Sequence, residues 1–252
     1  MLKDLSCSIC GGNCIPLDVV DFNKSCEETR GKFLRLSGVP VYYYLCNKCG
    51  FCFTPEFGKW NLKEFSEKIY NKKYIEVDPD YKTIRPEANA TNLVNMFKGK
   101  EEYIKHLDYG GGNGLLSDLV KKLKWKSSSY DPFVNHDISV EELGDFNLIT
   151  AYEVFEHVPD INSLMSQLDL LLKDDGIILF STLLSDGNIK PNHRLDWWYA
   201  SPRNGHISLF SKNCLGILAK KYKFNTGSFS SGFHVFFRQQ IPDWTAHLFK
   251  VG

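Results

Sequence analysis

The sequence predicts an α/β protein: a doubly wound, mostly parallel sheet preceded by a small metal-stapled module. Three observations carry this reading. Two C-x2-C-G units, Cys7-Ser8-Ile9-Cys10-Gly11 and Cys46-Asn47-Lys48-Cys49-Gly50, stand near the N-terminus. A glycine-rich loop, Asp108-Tyr109-Gly110-Gly111-Gly112-Asn113-Gly114, joins a short apolar run to an amphipathic one. Beyond it, buried-strand runs alternate with helical periods almost to the end of the chain, the pattern of a parallel sheet with crossover helices.

A chain of 252 residues holds one α/β domain of ordinary size and a smaller appendage, and 43% hydrophobic content supplies the core. The expected division is a zinc-binding module at 1–56, a helical linker or lid at 57–100, and a nucleoside-binding domain at 101–252. Thirty basic residues balance thirty acidic ones. A protein that grips phosphates shows a basic excess, so a nucleic-acid partner is not expected. The first residues, Met1 to Ser6, lack the apolar run of a secretory signal, and no run reaches the roughly 18 to 20 apolar residues that span a bilayer. A cytoplasmic protein without a membrane partner is the expectation. In that setting, four of eight cysteines in C-x2-C pairs read as metal ligands rather than disulfides.

In the first module, each cysteine pair lies on a tight turn whose unusual backbone the following glycine permits. Cys7, Cys10, Cys46 and Cys49 can present four sulfurs to Zn²⁺ at about 2.3 Å. Such a site is closed to substrate, so the zinc is structural. Strand-like runs at Ile15 to Phe22 and Val39 to Leu45 fold the intervening chain back as a hairpin. Cys14, Cys26 and Cys52 form no further pair and read as small buried or surface thiols.

The linker carries helical periods at Lys63 to Tyr70 and at Ala88 to Phe97, the second with Ala90, Leu93, Val94 and Phe97 on one side. Between them Tyr70, Tyr74, Tyr81, Arg85 and Pro86 make an aromatic-rich turn region. These residues either pack two domains together or close over a nucleoside, with Tyr74 as a stacking ring and Arg85 as a cation.

In the third domain, Tyr103 to Tyr109 reads as a strand ending on Asp108. Leu115 to Leu123 reads as a helix with Leu115, Leu116, Leu119, Val120 and Leu123 inward. The glycines between them let a ligand approach the backbone and the helix N-terminus. A dinucleotide fingerprint would need glycine where Leu115 stands; D-x-G-x-G-x-G is met in full by Asp108, Gly110, Gly112 and Gly114. Asp131 ends the next strand 17 residues after Gly114. Val134 to Ile138 is a short, polar candidate for the third strand. Asn147 to Tyr152 is the fourth, followed by Glu153-Val154-Phe155-Glu156-His157-Val158. Pro159 and Asp160 open a helix with Ile161, Leu164, Met165, Leu168 and Leu171 buried, and Asp174-Asp175-Gly176 stops it. Ile177 to Ser181 and the antiparallel Phe233 to Phe237 complete the sheet.

The glycine pattern resembles motif I of the class I S-adenosylmethionine-dependent methyltransferases. The E-V-x-E-H-V string and Gly205 to Ser211 are similar to later landmarks of that family, so the resemblance covers about residues 101–240. It implies a seven-stranded Rossmann-like sheet. It also implies that the loop passes under the amino-acid part of the cofactor, that Asp108 reaches its ammonium, and that Asp131 accepts both ribose hydroxyls. Glu153 is counted among the cofactor-binding residues on the same ground.

Methyl transfer from a sulfonium needs alignment, and an alcohol nucleophile gains about 10²–10⁴-fold from a positioned base. His157 and His206 are the candidate bases, with Glu156 beside them. Glu153, Glu156 and His157 fall at i, i+3 and i+4. With His206 or His193 they are similar to the divalent-metal site of methyltransferases that act on vicinal hydroxyls, where an ion lowers a hydroxyl pKa. An acidic turn at a helix start is the plainer account. Trp197, Trp198 and Arg203 lie where this fold inserts acceptor-binding loops, suited to a sugar face and an anionic group; a hydrophobic anchor explains them equally.

The order of zinc module, aromatic linker and core is similar to bacterial enzymes that modify surface-carbohydrate precursors. The expectation is therefore O-methylation of a small acceptor, a sugar or nucleotide-linked sugar in polysaccharide biosynthesis. An RNA base methyltransferase with a zinc-ribbon substrate module is the enzymatic alternative, and a non-catalytic cofactor-binding scaffold is the alternative from another class.

Overall fold

A computed structural model of the chain describes residues 5–249, so the reading of Met1 to Asp4 lies outside the described residues. In chain order the first elements are β1 (Leu5–Ser6), β2 (Asn13–Asp21), β3 (Pro40–Cys46), β4 (Cys52–Phe53), α1 (Leu62–Lys68), α2 (Tyr74–Val77) and α3 (Ile84–Met96). Then come β5 (Lys105–Tyr109), α4 (Leu115–Lys122), β6 (Lys126–Tyr130), β7 (Phe146–Tyr152), α5 (Ile161–Leu171) and β8 (Leu172–Ser181). Last are β9 (Ser208–Leu209), α6 (Lys212–Lys221), β10 (Asn225–Ser228) and β11 (Phe233–Phe237).

The chain forms two compact units, and they do not follow the division at 56 and 100. One takes in residues up to Pro79, Phe155–Leu164 and Thr182–Leu218; the other takes in Asp80–Val154, Met165–Ser181 and the residues from Ala219 on.

The first unit holds an antiparallel sheet ordered β1-β2-β3-β4-β9. The expected hairpin forms, with Cys14 opposite Cys46 and Val19 opposite Tyr42. Its closing strand β9 comes from late in the chain, pairing Cys52 with Leu209 and Phe53 with Ser208. α1 starts on a capping box, in which Asn61 Oδ1 accepts the Glu64 amide at 3.0 Å and the Glu64 carboxylate accepts the Asn61 amide. Its inward residues Phe65 and Ile69 are buried.

The second unit is the doubly wound sheet, ordered β10-β11-β8-β7-β5-β6. The four strands β6, β5, β7 and β8 are parallel, and β11 and β10 run antiparallel at one end. Ala90, Leu93 and Phe97 of α3 and its C-cap, with Leu116 and Val120 of α4, pack in one apolar cluster with Leu148, Ile177 and Leu179 of the sheet. Pro86 sits in the first turn of α3, where its missing amide costs nothing, so the helix begins four residues before its expected start.

Six strands are found here where seven were expected. Residues 134–138 form turns: Asp131 O accepts the Val134 and Asn135 amides, and Asn135 O accepts that of Ile138. The physical reason is that Val134 and Ile138 are separated by polar residues and stay exposed, while the Asn135 side chain accepts the Asp131 amide at 2.9 Å and locks the turn. Leu123 is a second correction: α4 ends at Lys122, Lys124 takes a left-handed φ of 68°, and Leu123 is left exposed. The helix after Pro159 stops at Leu171, three residues before the expected Asp-Asp-Gly stop, because β8 already begins at Leu172. No helix among the described residues is long and apolar enough to cross a membrane.

Candidate functional site

In the second unit the winding reverses at β5, which has β6 on one side and β7 on the other. Open α/β sheets bind ligands in the crevice at the carboxyl ends of strands at such a point. The glycine loop leaves β5 there. The Gly110 and Gly111 amides donate to Tyr130 O at 2.7 and 3.2 Å, which fastens the bend to the end of β6. Gly110 has φ +73° and no room for a side chain, since a Cβ would meet Val154 Cγ2 at 2.5 Å. Gly112 has φ +55°, but a Cβ there would project into open space. The outer face of the loop is therefore open at this position, with room for a ligand to approach the backbone.

Asp131 is tied to this loop. One carboxylate oxygen accepts the Gly112 amide at 3.0 Å and the other accepts the Phe133 amide at 2.8 Å. Each oxygen keeps a further lone pair, a two-point acceptor that suits a vicinal diol. Burial raises its pKa, and the two amides work against that rise.

Asp108 is buried, and desolvation pushes its carboxyl up to about 7 despite a hydrogen bond from Thr150 Oγ1 at 2.7 Å. Behind it runs a line of polar groups that sequence reading missed. The Thr150 hydroxyl spends its one proton on Asp108, so it must accept from His106 Nε2 at 2.9 Å. His106 Nδ1 then accepts from Ser127 Oγ at 2.8 Å, and Ser127 accepts from Ser117 Oγ at 2.8 Å. Burial pushes the His106 pKa down to about 3, which keeps the ring neutral as this order requires. One sequence signal was available: His106 and Asp108 are polar residues two apart in the expected strand, hence on one face.

Glu153 holds a left-handed φ of 54°, a conformation costing about 1–3 kcal/mol for such a residue. Its amide donates to Ser181 Oγ and its carboxylate accepts from the same hydroxyl, both at 2.8 Å. Arg85 lies in the first turn of α3, its amide donating to Asp80 O at 3.0 Å.

The first unit gathers Glu156, His157 and His206, with ligand atoms all within 4.8 Å of one another. Glu156 and His157 lie on a 3-10 turn, Phe155–His157. Glu156 accepts from the Tyr199 hydroxyl at 2.5 Å. His206 Nδ1 lies 2.8 Å from Tyr199 O, which assigns the proton to Nδ1 and the lone pair to Nε2. His193 is exposed, bonded to its own Pro191 carbonyl, and is not one of the three.

Among the proposed acceptor contacts in this unit, Trp198 is exposed while Trp197 and Arg203 are buried. Arg203 Nη1 donates to Ile69 O at 2.9 Å. Tyr74 is buried too, its hydroxyl donating to Asn204 O at 3.2 Å. The tryptophan segment is held from below: Lys24 Nζ donates to Trp197 O at 2.9 Å, and Asp18 accepts the Leu195 amide at 2.8 Å and Arg194 Nε at 3.0 Å. Nothing in the sequence pattern singled out Lys24 or Asp18.

The two cysteine turns have the same construction. The Cys7 amide donates to Gly12 O and the Gly11 amide to Cys7 O; likewise Cys46 donates to Phe51 O and Gly50 to Cys46 O. They bring Cys7, Cys10, Cys46 and Cys49 within 4.8 Å of one another. The sulfurs are 3.6 Å apart for Cys7–Cys49 and 3.4 Å for Cys10–Cys46. Those separations are far beyond a disulfide bond of about 2.05 Å. They are near the edge of about 3.8 Å that a tetrahedron with 2.3 Å metal–sulfur bonds implies. Burial opposes ionisation of Cys46, but the Cys49 and Lys48 amides outweigh it and bring its pKa down to about 7. Cys14 and Cys52 are buried and Cys26 half-buried, none in a second pair.

A family profile described as a methyltransferase domain matches residues 81–227, more than half of the chain. Among curated proteins the chain is similar to the ubiquinone biosynthesis O-methyltransferase of Colwellia psychrerythraea, 29% identical over 100 aligned positions that cover 31% of this chain and 41% of that one. That of Thiobacillus denitrificans is 30% identical over 102 positions, covering 31% and 44%. The chain thus matches less than half the length of these relatives. Solved structures with some likeness include the pyocyanin biosynthetic protein PhzM, at 12% identity, covering 69% of this chain and 63% of that one with a TM-score of 0.48. DesVI of Streptomyces venezuelae is 11% identical, covering 69% and 98% with a TM-score of 0.45.

Proposed function

Because the chain belongs to the methyltransferase-domain family that its residues 81–227 match, we propose that it moves a methyl group from S-adenosylmethionine to a hydroxyl of a small acceptor. The observation that carries this is the bare backbone at Gly112, bonded directly to the Asp131 carboxylate. Gly110, Gly112 and Gly114 would line the amino-acid part of the cofactor, Asp108 would take its ammonium and Asp131 its ribose hydroxyls. Glu153, Tyr74 and Arg85 complete the proposed cofactor set. The cofactor supplies an electrophilic methyl and its own leaving group; the chain's work is alignment and removal of the hydroxyl proton.

Oxygen is favoured as nucleophile by the names of the curated relatives. Those names give no support to a sugar acceptor, which rests on the order of the modules and on Trp197, Trp198 and Arg203. Of these, Arg203 already spends part of its guanidinium on Ile69 O. The neutral charge balance still weighs against an RNA base.

His206, whose Nδ1 is engaged by Tyr199 O, and His157 are the proposed bases, with Glu156 beside them. A second reading comes from the same geometry. One carboxylate and two imidazoles within 4.8 Å match the donor set of a divalent cation, with Glu156, His157 and His206 as ligands and Glu153 engaged by Ser181 instead. Cys7, Cys10, Cys46 and Cys49 would hold a structural Zn²⁺, a closed site that adds folding energy and no chemistry.

A cofactor-consumption screen against phenols, catechols and nucleotide-activated sugars tests the reaction; no turnover with any hydroxyl acceptor, together with no calorimetric heat on adding S-adenosylmethionine, removes it in favour of a scaffold. Repeating the screen after mild chelation that leaves the cysteine zinc bound decides between base and cation. Unchanged turnover eliminates the second metal. His206→Ala is expected to lower kcat by about 10²-fold or more with cofactor affinity held within about twofold; equal losses in both would make His206 a packing residue.

A further inference from the structure

The loop between β2 and β3 in the first unit carries the two most exposed large apolar side chains among the described residues, Leu36 at 77% and Phe33 at 73%, and Val39 beside them is exposed as well. Single exposed apolar residues need no explanation, but three within seven positions do. The loop is not a loose tether that could fold them away. Its neck is closed by the Phe22 amide on Val39 O at 2.9 Å. Asp21 clamps both sides: one oxygen accepts the amides of Asn23 and Ser37 and the Ser37 hydroxyl, and the other accepts the Gly38 amide. Asn23 Nδ2 reaches across to Arg35 O at 2.7 Å. Lower down, Arg30 and Lys32 both pair with the buried Glu27 carboxylate at 2.9 and 2.8 Å. A built loop therefore holds its apolar tip out in water.

The charges around that tip identify what it fits. Arg30 to Leu36 contains three cations and no acid, and the buried Glu27 carboxylate pairs with two of them, Arg30 and Lys32. Arg35 is exposed beside Phe33 and Leu36. Aromatic and aliphatic side chains flanked by lysine and arginine suit the boundary of a bilayer with anionic headgroups, where the rings enter the acyl edge and the cations meet phosphate.

We propose that Phe33 and Leu36, with Lys32 and Arg35, dock this protein on anionic lipid surfaces. This is peripheral contact, distinct from the membrane-spanning run whose absence led the sequence reading to expect no membrane partner. It stands apart from the proposed reaction, since none of these residues belongs to the cofactor or acceptor sets.

The test is co-sedimentation of the full chain with phosphatidylcholine vesicles that contain phosphatidylglycerol, against pure phosphatidylcholine vesicles. Binding is expected with the anionic vesicles only, and salt at about 1 M, where the Debye length is about 3 Å, should weaken it. Lys32→Ser with Arg35→Ser should lower the partition coefficient about thirtyfold. Phe33→Ser with Leu36→Ser should lower it about a hundredfold, with heat released on adding S-adenosylmethionine unchanged as the check on folding. Failure of the unaltered chain to sediment with anionic vesicles overturns the proposal. So does self-association that the Phe33/Leu36 variant abolishes, which would make the tip a contact between copies of this chain, and so does equal binding to both vesicle types.

Discussion

Asp108 ends a buried strand, and the dryness that lifts its carboxyl to about 7 gives the cofactor site a pH dependence of definite sign. Its folded pKa lies above the ordinary 3.8, so the folded chain binds the extra proton. The unliganded protein therefore loses stability from this group as pH rises from about 4 to about 7. With Asp108 as the proposed partner of the ammonium, cofactor binding follows the opposite trend on that limb, because the ammonium needs the ionised carboxylate. Affinity for S-adenosylmethionine is expected to rise about sixfold between pH 6 and about 7.5, then fall as the ligand's α-amino group, with a pKa near 8, gives up its own proton. Calorimetry across this range checks it, with Asp108→Asn losing the acid limb and keeping the alkaline one. A flat acid limb in the unaltered protein would mean that Asp108 never meets the ammonium. Thr150 tunes the same group: Thr150→Val removes the hydrogen bond that favours the ionised form, so the acid limb should move to higher pH.

At the level of elements, the turn from β5 into α4 does its work through backbone shape. Gly112→Val would place a β-branched residue at φ +55°, costing about 1–3 kcal/mol, and its side chain would fill the open space above the loop. A folded protein with a modestly lowered Tm and at least about a tenfold weaker cofactor affinity is expected; retained affinity would put the cofactor elsewhere. This loop was legible in the sequence because few backbones need glycine at Gly110, Gly112 and Gly114 at once. β7, β11 and the buried face of α5 were legible from apolar pattern alone: Ile161, Leu164, Met165, Leu168 and Leu171 are all buried. Residues 134–138 were read as a strand only because the fold resembled has one there. Local turn bonding from Asp131 and Asn135 won. The line from Ser117 to Asp108 could not be read at all, since it joins α4, β6, β5 and β7 through pairings that no local period encodes.

On the scale of the whole molecule, the cysteine turns organise residues far from them in sequence. Three strands of the first sheet, β1, β4 and β9, are two residues long, too short to persist on their own hydrogen bonds. The pair of turns is tied to segments beside them: Ser211 Oγ donates to Cys49 O at 2.5 Å, the Cys214 amide donates to Ser211 Oγ, and Asn162 Nδ2 reaches Ser8 O at 3.1 Å. A metal bound by four thiolates would fix both turns at once, and binding energy of that kind becomes folding energy. Purified protein should carry about one zinc per chain, and Cys46→Ser should lose it along with several kcal/mol of stability. Hydrogen exchange locates the effect. Amides of residues 5–14 and of Ser208 and Leu209 should lose protection in the variant, while those of β5, β7 and β8 keep theirs, because the parallel sheet draws on the separate apolar cluster around Leu148 and Leu179. Undiminished protection at Ser208 and Leu209 after metal loss would show that apolar packing, rather than the four sulfurs, fastens β9 to the N-terminal strands.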